Sequence, residues 1–202
     1  MNRTRKAFLV IMACVVMLFA TACGKNDSSS FKHGSWSGST YTSEFLGIKI
    51  PAGSDWTITS DTELAQAFGV SDMSDSSIKS IFDKGGVLTE MMAGNDDGTS
   101  INITVQDNTG IEGFSEAQYL DSAMELVESQ FEAFGLSCTA QKKSVDFLGK
   151  STDCIELAVE VSDQTIYELQ IPIFKSHYTA SITFASFNKS ELNTLVSSVT
   201  AA

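Results

Sequence analysis

Two histidines, four cysteines and a few paired carboxylates are the residues of this chain best suited to hold a metal, move a proton or attack a substrate. His33 stands in a polar N-terminal stretch, and His177 opens a predicted strand after a turn. A Ser-His-Asp system has to use His177, and no G-x-S-x-G elbow presents a serine to it. A zinc site wants several His or Cys ligands at short spacing, and none are so spaced. Gly149-Lys150-Ser151-Thr152 copies the end of a phosphate-binding loop. Ser144 holds the place of the leading glycine, however, and a strand follows rather than a helix, so the segment reads as a turn. Asn95, Asp97 and Gly98 overlay part of a calcium loop whose first and last ligand positions are Ala93 and Thr104, which excludes an EF-hand. A looser surface site using Asp96 and Asp97 stays open beside the plainer reading, a hairpin turn rich in turn formers. Glu156 and Glu160 sit two strand steps apart, with Glu168 on the next strand, and paired carboxylates suit acid–base work. Their alternation with apolar residues favours a solvated sheet edge or face. These residues assign no catalytic group, no metal site and no cofactor.

The N-terminus is more specific. Arg3, Arg5 and Lys6 precede an uncharged apolar run from Ala7 to Ala20, followed by Thr21-Ala22-Cys23-Gly24. A basic start, a short apolar segment and small residues at its end make a secretory signal peptide over residues 1–22. The run is too short to span a bilayer, which takes about 20 residues. The boundary resembles the lipobox of bacterial lipoproteins, and the resemblance implies a diacylglyceryl group on Cys23 as the new N-terminus. Two acyl chains give a stable membrane anchor where one gives marginal binding. Ala20-Thr21-Ala22 also fits an ordinary signal peptidase site, whose product is freely secreted. Gly24 to Ser30 contains no apolar residue, so residues 23–35 read as the lipidated cysteine and a flexible tether. Trp36 either pins that tether to a domain over 36–202 or forms an exposed contact residue.

Loss of Arg3, Arg5 and Lys6 leaves 10 Lys+Arg against 25 Asp+Glu, a net charge of −15. No basic footprint for nucleic acid exists, nor a basic patch to hold anionic lipid. Cys14 leaves with the signal, so Cys138 and Cys154 remain as a candidate disulfide in an oxidising compartment. A hairpin turning at Leu148-Gly149 sets Cys154 opposite a residue near Lys143. A bridge then needs a bulge or a wider loop, because the Cα atoms must lie within about 7 Å. Two small buried thiols are the other reading.

Periodicity supplies the elements that position these groups. Thr40 to Phe45, Gly47 to Ile50, Val87 to Ala93 and Ser100 to Gln106 read as strands. So do Cys138 to Phe147, Cys154 to Val161, Thr165 to Phe174 and His177 to Ala185. Pro172 donates no ladder hydrogen bond and marks an edge or a bulge. Capping-box spacing at Ser60/Glu63 and Ser115/Gln118 starts two helices, the second with a stripe at Leu120, Ala123, Met124, Val127, Phe131 and Phe134. Another helix is predicted from Ser74 to Lys84, and Asn188 with Glu191 opens the last one. Tight turns join successive strands, so the expected fold is α+β: one largely antiparallel sheet flanked by helices.

Several anchors then carry a family resemblance. They are Tyr41, Leu46-Gly47-Ile48-Lys49-Ile50-Pro51 with Trp56, Ile101-Asn102-Ile103-Thr104-Val105, the helix from Ser115 to Phe134, Gly149-Lys150, and Tyr178-Thr179-Ala180-Ser181-Ile182-Thr183-Phe184. In this order they resemble the PsbP/DcrB-like α/β/α sandwich of small bacterial lipoproteins, over about residues 36–200. The resemblance implies a non-enzymatic binding or assembly module on the extracytoplasmic side of the cell membrane. Its partner is expected to be an envelope protein or a small ligand, with a small-molecule carrier beside a transporter as the alternative.

Overall fold

The computed structural model describes residues 30–109 and 115–202. Of these, 45% lie in strands and 27% in helices. The element order is β1 (Ser35–Ser37), β2 (Thr40–Ser43), β3 (Ile48–Pro51), β4 (Thr57–Ile58), α1 (Asp61–Phe68), α2 (Asp75–Asp83), β5 (Val87–Gly94) and β6 (Ser100–Asp107), followed by α3 (Glu116–Ala133). Strands β7 (Ser137–Phe147), β8 (Lys150–Val161), β9 (Gln164–Lys175) and β10 (Tyr178–Ser186) come next, then α4 (Lys189–Ser198) and β11 (Thr200–Ala201). The strands make two antiparallel sheets, β4-β5-β6-β10-β9-β8-β7 and β1-β2-β3-β11.

This overturns the expectation of an α+β fold with one helix-flanked sheet, and with it the PsbP-like α/β/α sandwich. The first three strands form a sheet of their own, closed by β11 at the far end of the chain. Tyr41, Ile48 and Ile50 from this small sheet join one core with Ile101, Ile103, Val105, Ala180, Ile182 and Phe184 from the large one. A second sheet therefore covers the inner face where a helical layer was expected. Helices α1, α2 and α4 add Leu64, Ile78, Ile81, Leu192 and Val196 to the same core.

The outer face carries a separate core. Helix α3 starts at a capping box in which Ser115 Oγ accepts from Gln118 N. Its Leu120, Ala123, Val127 and Phe131 meet Ile155, Leu157, Val159 and Ile166. Burying each of the three larger side chains contributes about 1.5–3 kcal/mol, enough to fix the helix over β8.

Pro172 lies in β9, a strand with a neighbour on each side. It pairs with Ser181 of β10, while the ladder between β9 and β8 stops at Gln170–Ile155. The missing N–H thus costs no ladder bond, because the proline makes a local edge inside a central strand. Phe31 is buried ahead of β1 against Phe45, Phe82 and Tyr178, with ring centroids 5.0, 5.8 and 5.9 Å away. Part of the stretch read as a tether therefore belongs to the folded body. Trp36 is half-buried, its ring 5.3 Å from that of Tyr41.

Candidate functional site

The outer face changes character between β8 and β9. Cross-strand register puts Asn102, Thr183, Gln170 and Ile155 in one row, and Ser100, Ala185, Glu168 and Leu157 in the next. Helix α3 takes the apolar end of each row. What remains on β9, β10 and β6 is a strip of amides and hydroxyls. Asn102, Thr104, Gln170 and Thr179 are buried, and Ser181 and Thr183 are half-buried. Asn108 Nδ2 donates to Thr179 Oγ1 at 2.7 Å, tying the end of the strip to the chain leaving β6.

Glu168 is the charged member of the strip, only 3% exposed. Gln170 Nε2 donates to its Oε2 at 3.2 Å. Burial pushes its carboxyl up to about 7, and the bond from Gln170 offsets this only in part. A carboxyl held near neutrality among neutral dipoles can accept hydrogen bonds, balance a cation or exchange a proton. Glu156 and Glu168 do not form a pair. Glu156 stands opposite Leu169 and Glu168 opposite Leu157, so they point to opposite faces. Neither lies on a solvated face as the alternation suggested. Burial would raise the Glu156 carboxyl, but bonds from Lys143 and Lys189, each 2.8 Å, and from Gln141 at 2.6 Å hold it at about 2. Glu160 accepts from Thr165 Oγ1 at the surface.

A second buried carboxylate lies on the inner face. A bulge between Thr89 and Met91 inserts Glu90 into β5, so Leu88 pairs with Val105 and Met91 with Ile103. Glu90 accepts from Tyr41 Oη at 2.7 Å and from Gly34 N at 3.1 Å. A Cβ on Gly34 would lie 2.3 Å from Tyr41 Oη, so only glycine allows this approach. Burial raises the carboxyl of Glu90, and burial together with the Glu90 charge raises the hydroxyl of Tyr41. His33, at 3.4 Å from Asp61 Oδ1, completes a cluster that binds the N-terminal segment to the body. Glu90 was not singled out from the sequence. Its signal was a charge sharing the parity of Leu88 in an apolar strand, and the bulge hid the rest.

Cys138 and Cys154 are not joined in a disulfide. Cys138 pairs with Val159 and Cys154 with Lys143, which separates them along the hairpin and sets them on opposite faces. Cys154 is fully buried, and burial pushes its thiol up to about 11. Around His177, Ser176 Oγ lies 3.4 Å from Nδ1 and Asp107 Oδ1 lies 3.8 Å from Nε2, both longer than the bonds of a working proton relay. The Asp96-Asp97 turn is organised by Asn95 Oδ1, which accepts from Asp97 N and Thr99 N. Among the described residues no group of three or more His, Cys, Asp or Glu converges to hold a metal. Cys23 lies outside the described residues. Among those described, no helix is long and apolar enough to cross a membrane.

No family model and no curated protein sequence matches the chain.

Proposed function

We propose that this chain is a lipid-anchored lipoprotein of the bacterial cell envelope, held at the membrane by a diacylglyceryl group on Cys23. It faces the extracytoplasmic side and works as a non-enzymatic binding or assembly module for an envelope protein or a small ligand. The anchor rests on Arg3, Arg5, Lys6, the apolar run and the position of Cys23. The binding role rests on one observation, the polar strip beside α3. The half-buried hydroxyls of Ser181 and Thr183, set beside buried Thr104, Gln170 and Thr179, make a polar surface that suits hydrogen bonding to a partner. Glu168 favours a second reading, a carrier for a small solute bearing an amine.

Intact mass and membrane fractionation of the native protein beside Cys23→Ser test the proposal. The wild type is expected in the membrane with a diacyl mass increment, and the variant released. Two soluble proteins starting near Cys23 without lipid overturn the anchor. A thermal-shift gain with small amines that disappears in Glu168→Gln selects the carrier.

A further inference from the structure

If Cys23 carries the anchor, the body has a preferred way to meet the bilayer. Phe31 is the first buried residue among those described, and its N–H donates to Tyr178 Oη at 3.4 Å. Tyr178 opens β10 opposite Asp107, the last residue of β6. Phe31 therefore sits at the end of the large sheet that holds the β9–β10 and β7–β8 turns. Seven residues separate it from Cys23, a span of at most about 28 Å between the two Cα atoms. Strand β8 alone has 12 residues and is about 40 Å long. The tether is too short for the opposite end, with its Asn95–Gly98 and Ser162–Asp163 turns, to stand on the membrane.

The near end is also built differently. Two large apolar side chains, Leu148 and Phe174, are exposed there, each 38%, while Phe134, 61% exposed, lies toward the other end, where β7 starts opposite Glu160. Leu148 has φ 53°, a left-handed conformation that normally goes to Gly or Asn, so an apolar side chain is held at a hairpin tip at some backbone cost. Exposed Lys150 stands beside it, and exposed Lys84 follows α2 at the same end. Exposed Asp83 and Asp146 stand among these lysines, whereas the far end carries Asp96, Asp97, Asp163 and Glu160, which an anionic surface repels.

We propose that this end of the sheet rests on the bilayer that holds the anchor, with Leu148 and Phe174 in the headgroup layer and Lys84 and Lys150 reaching lipid phosphates. The contact follows from the tether and needs no net positive charge, because lysines beside apolar groups snorkel to the interface.

The test uses the full lipidated protein in phosphatidylethanolamine/phosphatidylglycerol vesicles with brominated acyl chains. Leu148→Trp is compared with Asp163→Trp at the far end, each against wild-type emission from Trp36 and Trp56. Flotation reports the anchor separately. About a two-fold loss of the added emission is expected for Leu148→Trp and little for Asp163→Trp, since interfacial groups lie about 5–10 Å deep. Phe174→Trp should follow Leu148→Trp. A protein that floats but quenches equally little at both ends keeps its anchor and overturns the orientation, leaving this end to a protein partner. A protein that does not float and carries no lipid overturns the anchor itself.

Discussion

Glu168→Gln gives the sharpest test of the polar strip. Folding takes Glu168 from water into a nearly closed site where one amide, from Gln170, donates to it. Its carboxyl, ordinarily near 4.5, is pushed up to about 7 by burial. The folded protein thus keeps this proton to about pH 7, while the unfolded chain releases it near 4.5. Folding takes up a proton between those values, so stability falls as pH rises through the window, and the penalty is complete above about 7. At 1.36 kcal/mol per pH unit, the gap corresponds to about 3 kcal/mol. Glutamine keeps the shape, can accept from Gln170 and has no proton to lose. In urea unfolding, wild type and variant should be nearly equal at pH 4.5. The variant should be more stable by about 3 kcal/mol at pH 8, with the m-value unchanged. A stability difference that does not change with pH, or a less stable variant at pH 8, would show that the ionised carboxylate is well compensated and that the strip is no poised site.

Two further outcomes follow from the buried groups. Tyr41→Phe removes one donor to Glu90 Oε1 and leaves that oxygen the bond from Gly34 N; it should cost about 1–3 kcal/mol in thermal or urea unfolding, and an unchanged midpoint refutes the role of the cluster. Cys138 should react with an aromatic disulfide reagent in the folded protein while fully buried Cys154 reacts only on unfolding; an intact mass short of two hydrogens would show that the two are bridged after all.

The long strands and helices were legible because each carries several turns or steps of pattern. The capping boxes at Ser60 and Ser115 form as their spacing predicted. Asn188 caps α4 by accepting from Ser190 N, while Glu191 accepts from Ser186 and Thr99. Strands β1, β4 and β11 have two or three residues each and show no period. The small sheet was illegible for a different reason. Its closure pairs Thr200 with Lys49, a contact between the two ends of the domain that no local pattern encodes. The faces of Glu156 and Glu168 were within reach, since the two-residue turn at Ser162-Asp163 pairs Val161 with Gln164 and fixes every later pair. Glu90 was not, because a bulge breaks the parity on which such counting depends.

Pro172 has an effect on the shape of the whole body. Beyond Ile155, β8 is paired only with β7, and a two-stranded ribbon coils more tightly than a wide sheet. Phe147 and Cys154 of that ribbon still belong to the inner core and do not lie at a fraying margin. A residue that cannot donate a hydrogen bond thus acts as a hinge line in a woven surface. By leaving one seam open, it frees the last pairs of the β7–β8 ribbon to twist on their own terms.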